Sequence, residues 1–340
     1  MPDWMTLGLV LAVSTMMTGL LRRYALKRSL LDVPNSRSSH SAPTPRGGGV
    51  AIVITFLAGS ALLFFLGRIA SEPFMALFCG GLLVAAVGFW DDHGHVSARW
   101  RILVHFAAAA WALYWLGGFP AVPIGDEHWD LGWFGHMLGI LLVVWWLNLF
   151  NFMDGIDGIA GIEAIFVAGG AALILLLSGI EAPSFWLALL AVGCLGFLAW
   201  NWPPARIFMG DVGSGFLGFI LGGFAVMTAA TGALPVWTWL ILFGVFLVDA
   251  TVTLLRRVLR RDRWYEAHRS HAYQQLARSL RSHKKVTLGV LLIDVVWLLP
   301  LAWLAAWRPD LGWILTVCAL TPLVIVVLKL GAGRSEEAPG

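Results

Sequence analysis

Residues 213–231 read GSGFLGFILGGFAVMTAAT, nineteen residues without a single charge, and an uncharged apolar stretch of about 20 residues is what the hydrocarbon core of a bilayer demands of a helix. Working outward in both directions, apolar runs bounded by charges, Pro or Gly recur near 4–21, 48–66, 73–90, 101–117, 133–150, 159–178, 184–200, 236–255, 286–306 and 311–330. With the first stretch they make eleven helix candidates. The composition agrees: of 340 residues 59% are hydrophobic and only 13% charged, with a mean hydropathy of +0.79, where a soluble domain carries about a quarter charged residues. The sequence therefore predicts an all-α polytopic membrane protein of about eleven spans, a single integral domain over 1–331 followed by a short polar tail over 332–340.

Orientation follows from the basic residues. The first run is preceded by Asp3 and followed by Arg22 and Arg23, the wrong polarity for a cleaved signal peptide. It is expected to remain as a helix that enters from outside. Alternating the connections from there puts 21 of the 23 basic residues on one side and leaves only Arg68 and Arg308 on the other, which the positive-inside rule assigns to a periplasmic N-terminus and a cytoplasmic C-terminus. Net charge is only +3, yet the cytoplasmic face is strongly basic and should draw anionic lipid head groups and anionic soluble substrates to one place. Nothing in the pattern indicates nucleic acid. The nineteen Trp read as anchors at the bilayer edges. Cys79, Cys194 and Cys318 lie singly in apolar stretches, so neither a zinc site nor a disulfide framework is indicated, and they read as small core residues.

Carboxylates at membrane depth are expensive, so their positions point to chemistry. Five of them fall in three clusters at cytoplasmic helix ends, and a histidine cluster makes a fourth. One closes the third span: Gly88-Phe-Trp-Asp91-Asp92, with Arg99 and Arg101 a few residues on. Another is Asn148-Leu-Phe-Asn151-Phe-Met-Asp154-Gly-Ile-Asp157-Gly, in which Asn148, Asn151 and Asp154 follow at three-residue steps along one helix face. A calcium loop is excluded there because the later glutamate ligand is missing. The third, Asn201-Trp-Pro-Pro-Ala-Arg206-Ile-Phe208-Met-Gly210-Asp211-Val-Gly-Ser214, opens a helix with glycines and free N–H groups that favour an anion. The fourth is His268-Arg269-Ser-His271, within the most basic loop. Five carboxylates drawn together on one face would repel one another strongly without a cation, and an all-oxygen donor set points to magnesium, with manganese as the second choice. Acids around a metal, ringed by Arg, His and Lys at a membrane edge, form the layout of phosphoryl transfer to a lipid.

These residues resemble the polyprenyl-phosphate N-acetylhexosamine-1-phosphate transferases, glycosyltransferase family 4 or the MraY/WecA superfamily, and most of all the WbpL-like branch that starts O-antigen synthesis. Pro43-Thr-Pro-Arg46-Gly47-Gly48-Gly49 matches the first cytoplasmic motif, Asp91-Asp92 the second, Asn148 to Ala160 the third, Asn201 to Gly215 the fourth and His268 to His271 the histidine motif. The resemblance implies a multi-pass enzyme of the bacterial inner membrane, able to form a homodimer, with its active site in cytoplasmic loops. The implied reaction transfers N-acetylhexosamine 1-phosphate from a UDP-sugar to undecaprenyl phosphate and releases UMP. Its catalytic group is Asp91, Asp92, Asp154 and Asp157, with Asp211 and Asp92 as magnesium ligands. Asn148, Asn151, Asn201, Phe208, Arg46 and Gly48 are expected at the nucleotide, and Arg101, His268, Arg269 and His271 at diphosphate or lipid phosphate.

The chain departs from the pattern in two places. The stretch Ser39-His40-Ser41-Ala42 holds no lysine where the peptidoglycan branch has one, leaving His40 or Arg46 to hold the uracil end. Two separated histidines instead of a consecutive run argue for an N-acetylhexosamine over a muramyl-pentapeptide. Glu163 and Asp249 are expected either to support the site or to pair with a nearby Arg, and Asp294 to be structural. Two competing readings are an ion-coupled transporter, against which the acids cluster at one face without a repeat, and a CDP-alcohol phosphatidyltransferase, whose Asp-Gly-x-x-Ala-Arg string is absent.

Overall fold

The computed structural model describes residues 3–34, 40, 42–94, 96–262 and 269–334. Every apolar run expected to be helical is helical: α1 (Asp3–Lys27), α2 (Gly49–Phe65), α3 (Ser71–His93), α4 (Ala98–Trp115), α5 (Gly132–Met153), α6 (Ile159–Leu177), α7 (Glu181–Asn201), α8 (Asp211–Ala230), α9 (Val236–Leu242), α10 (Gly244–Leu259), α12 (His283–Ile293), α13 (Leu299–Trp307) and α14 (Gly312–Lys329). A short α11 (Ala272–Leu280) lies in the basic loop, and a π-helical turn, Asp294–Leu298, joins α12 to α13. The strand pairs β1 (Leu31–Asp32) with β2 (Thr44–Pro45) and β3 (Val122–Ile124) with β4 (Glu127–Trp129) are antiparallel.

The chain is thus a multi-pass, all-α membrane protein. Among the described residues eight helices are long and apolar enough to cross a membrane, or nine with the α9–α10 pair taken as one span, against the eleven runs expected. The reasons are local. α2 has only 17 residues, α4 carries Arg99 and Arg101 in its first turn, and α9 and α10 meet at a 78° bend around Phe243. Of the cysteines only Cys194 is buried; Cys318 lies on the outside of the bundle.

α8 is the axis of the fold. It packs against α2, α3 and α5, while α7 packs against α1, α2 and α6. Its glycines permit this, because helices in lipid associate by close packing of small residues. A Cβ on Gly218 would lie 2.6 Å from Leu147 Cα in α5, and Gly49 of α2 meets Gly213 backbone to backbone. One end of the bundle gathers the chain near β2, the α3 end, the α5–α6 and α7–α8 connections and α11. The opposite end holds the Arg68–Asp3 pair and the β3–β4 hairpin, where Gly125 N donates to Asp310 O. The polar tail begins as a bound turn: Gly333 N donates to Ser270 O, and Arg256 Nη1 to Ala332 O, both at 2.8 Å. Residues 335–340 lie outside the described residues.

Candidate active site

The site begins where α3 crosses α8. Gly88 lies against the backbone of Asp211, with room for no side chain: a Cβ there would stand 2.6 Å from Asp211 O. One turn later α3 ends, and Asp92 reaches the start of α8, accepting from Asp211 N at 3.1 Å and Val212 N at 3.2 Å. A carboxylate at these two unpaired N–H groups caps α8 and complements its dipole. Gly210 makes the turn into α8 at φ +78°, and a Cβ there would meet the Asp92 carboxylate at 2.5 Å. Asp92, expected to hold metal, is buried with both oxygens on backbone N–H groups, and the Arg46 charge acts on it.

Asp91 accepts from Val96 N at 2.8 Å and from Arg101 Nη1 at 2.5 Å. The same Arg101 nitrogen donates to Asp211 Oδ2 at 2.7 Å, so a single guanidinium ties two acids from different helices together. This is a charge-assisted arrangement of the strong kind.

The α5–α6 connection supplies the remaining acids. Asn148 bonds back to Val144 O within its own helix, and Asn151 Oδ1 accepts from Ser214 Oγ of α8 at 3.1 Å. Asp154 sits deep among neighbouring atoms; that burial first, then the charges of Asp211, Asp92 and Asp157, hold its carboxyl well above the usual carboxylate range. Asp157 Oδ2 accepts from Ala205 N at 3.1 Å and lies 3.3 Å from His283 Nδ1. Asn201, expected beside the nucleotide, is buried and bonded to backbone at both ends: its Oδ1 accepts from Gly158 N and its Nδ2 donates to Ile207 O, each at 2.9 Å. It holds the α5–α6 and α7–α8 connections together.

The first motif runs beside the third. Phe208 N donates to Pro45 O, and Gly48 N and Gly49 N donate to Phe208 O and Met209 O. Gly48 is sealed by the Phe197 ring. Phe208 meets the His40 ring edge-on at 4.8 Å. Both line a cavity of about 650 Å³ together with Asp157, Pro203, Pro204 and Ala205 on one wall, and Gln274, Arg278, Arg281, His283 and Lys284 on the other. Sequence reasoning missed this basic wall. Arg278, Arg281 and Lys284 belong to the basic cytoplasmic face expected from the sequence, but no motif marks them, or His283, as lining a cavity. Of the histidine motif, His268 lies outside the described residues; Arg269 accepts a bond from Arg278 through its carbonyl. His271 is buried beside Asp249, 3.4 Å away, so it faces a span and not the cavity. Glu163 and Asp294, also buried, neighbour each other.

Among the described residues no three His, Cys, Asp or Glu side chains form a ready-made metal cage. Magnesium does not need one, since it is commonly held by one or two carboxylates plus substrate phosphates. Asp154, close enough to feel the charges of Asp211, Asp92 and Asp157, supplies oxygen donors of the kind that mode uses.

The profile of Glycosyl transferase family 4 matches residues 74–229. A probable undecaprenyl-phosphate N-acetylglucosaminyl 1-phosphate transferase of Bacillus subtilis is 31% identical, covering 82% of this chain and 78% of the relative. A phospho-N-acetylmuramoyl-pentapeptide-transferase of Moorella thermoacetica is 40% identical over 67% of this chain and 73% of its own. A decaprenyl-phosphate N-acetylglucosaminephosphotransferase of Mycolicibacterium smegmatis is 30% identical over 84% and 78%.

Proposed function

The chain belongs to glycosyl transferase family 4, the MraY/WecA superfamily of polyprenyl-phosphate sugar-phosphate transferases, and from that premise we propose that it moves N-acetylhexosamine 1-phosphate from a UDP-sugar to undecaprenyl phosphate at the cytoplasmic face of a bacterial inner membrane. The product would be undecaprenyl-diphosphate-sugar, with UMP released, as the first membrane step of a surface polysaccharide such as O-antigen. The observation that carries this reading is the cavity between Asp157 with the α7–α8 connection and the Arg278, Arg281 and Lys284 wall. It offers a diphosphate cations on one side and the Asp157 carboxylate on the other, in the loop that also carries Asp154, at the end of membrane-spanning helices.

In this reading the uracil end rests against Phe208 and His40, and the basic wall takes diphosphate oxygens. Asp211 and Asp154 would hold magnesium, or manganese, together with those oxygens; the ion supplies charge neutralisation at the reacting phosphate. Arg101 stands at the junction of Asp91 and Asp211, where a cation suits the lipid phosphate as it approaches from the bilayer. An oxygen of that phosphate attacks the β-phosphorus while the bond to the UMP oxygen breaks. One phosphoanhydride replaces another, so the reaction is nearly balanced and reversible. No strong base is required, since a phosphate monoester with a second pKa of about 6 is already largely dianionic at neutral pH. Asp91 then orients Arg101. Asp92 and Asn201 act behind the site, as cap and clamp.

The test is purified protein in lipid with undecaprenyl phosphate, magnesium and a panel of UDP-linked GlcNAc, QuiNAc, FucNAc and MurNAc-pentapeptide, scored for UMP and lipid-extractable product. One of the first three should turn over. Turnover of CDP-diacylglycerol in place of every UDP-sugar would replace this reading with a phosphatidyltransferase. Ion-driven flux without any UMP would replace it with a transporter.

A further inference from the structure

Asp249 lies in α10, a helix of the bent span, and is almost completely buried. Its carboxylate does not face the cavity. Oδ1 accepts from Ala272 N at 2.9 Å and from Thr253 Oγ1 at 3.1 Å, and Oδ2 accepts from Tyr273 N at 2.9 Å. Ala272 and Tyr273 are the first two residues of α11, whose opening N–H groups have no partner within that helix. A carboxylate from a different helix therefore does for α11 what a local Asp or Ser would do at its own N-cap, and it meets the positive end of the helix dipole as well.

Nine residues of α11 are too few to be stable alone, so what holds its N-terminus also sets where its other residues stand. Tyr273 donates its hydroxyl to Phe152 O at 3.1 Å and closes on Gly155, the residue after Asp154. Gln274, Ala277 and Arg278 line the cavity, and Arg281 follows at the helix end. The buried oxygen pair on the first two N–H groups, beside the local capping box of His271 and Gln274 and the Tyr273 hydroxyl, thereby holds the distance from the acidic Asp154–Asp157 loop to the basic wall facing it. We propose that Asp249 is a positioning residue for the nucleotide-sugar diphosphate: by capping α11 from within the membrane-spanning bundle, it sets the cationic wall at the spacing that a diphosphate spans. The inference rests on the donor reading above for its consequence, but not for the cap itself.

Two measurements on the full chain in nanodiscs separate these layers. Hydrogen exchange reads the cap without reference to activity. In Asp249→Ala, amides of 272–280 should exchange at least tenfold faster, with α8 and α12 unchanged; unaltered protection of α11 would overturn the cap. Asp249→Asn keeps an acceptor oxygen and should restore at least half of that protection. Kinetics reads the consequence. Asp249→Ala should raise KM for the accepted UDP-sugar and Kd for UMP about tenfold or more, while KM for undecaprenyl phosphate moves less than threefold and Asp249→Asn recovers most of the loss. An equal fall in activity toward both substrates, or normal UMP binding despite a loosened α11, overturns the positioning role. Should wild-type protein release no UMP from any UDP-sugar, the donor reading fails, and with it the positioning role, while the exchange data still decide the cap.

Discussion

The acidic cluster where α3 meets α8 and the basic wall of the cavity are built by opposite means. On the acidic side, backbone touches backbone: Gly88 on Asp211, Gly49 on Gly213, and Gly210 under the carboxylate of Asp92. On the basic side, side chains on a short helix project into the opening, and that helix is anchored by Asp249, Tyr273 and the C-terminal turn. A glycine crossing cannot give way without moving a helix, since packed interiors transmit strain. A wall of long Arg and Lys side chains can. The contrast assigns the reaction geometry to the acidic cluster and the fit to the donor to the basic wall. Variants on the acidic side should then change turnover, and those on the basic side should change apparent affinity.

The largest effect should fall on Asp211. Replacing it with Asn removes the charge that Arg101 and Asp154 both face while keeping the shape of the α8 start, and turnover should drop more than about a hundredfold with insertion and folding intact. Activity above a hundredth of wild type, measured as UMP release per folded protein, would count heavily against a metal role for this residue.

Arg101→Ala comes next. Charge-assisted bonds are worth about 1.5–3 kcal/mol each, so KM for undecaprenyl phosphate should rise by roughly 10- to 100-fold, with KM for the UDP-sugar nearly unchanged. If only nucleotide use shifts, the lipid phosphate does not bind at the Asp91–Arg101–Asp211 junction. Gly88→Ala tests the same cluster without touching any polar group. The added methyl has no space against Asp211 O, and overpacking of this kind costs about 1–3 kcal/mol. A kcat about tenfold lower with both KM values retained is expected; wild-type kcat would show that the α3–α8 approach is not what sets the site.

How much of this was visible beforehand differs between the cluster and the wall for the same reason. Hydropathy runs along the chain, so the helix positions could be read, including the approach of five motifs to one end. The bend at Phe243 could not, because Leu240-Ile-Leu-Phe-Gly-Val-Phe246 is as apolar as any straight span. Asp92 and Asp249 were ambiguous in sequence, since an acid that caps a helix elsewhere in the fold has the same spelling as one that binds a metal. Asn201 belongs to a motif, yet its amide holds two connections together. Arg278, Arg281 and Lys284 could not be distinguished from charges that merely fix topology until α11 was seen to face Asp157.

The smallest effect tests where the uracil rests. Phe208 is half-buried, its backbone N–H is already bonded to Pro45 O, and its ring meets His40 at the cavity wall. Phe208→Leu therefore leaves the strand contact and most of the apolar surface in place and removes only the aromatic face. Aromatic pairing adds about 0.5–1.5 kcal/mol beyond burial, so KM for the donor and Kd for UMP should both rise about two- to tenfold, while kcat stays within a factor of two. His40→Ala should do the same more weakly, because an edge contact supports the ring without replacing it. If both variants instead lowered kcat and left UMP binding alone, the uracil would have to lie elsewhere. The basic wall would then be gripping the sugar end of the donor, and the division of labour between the cluster and the wall would be reversed.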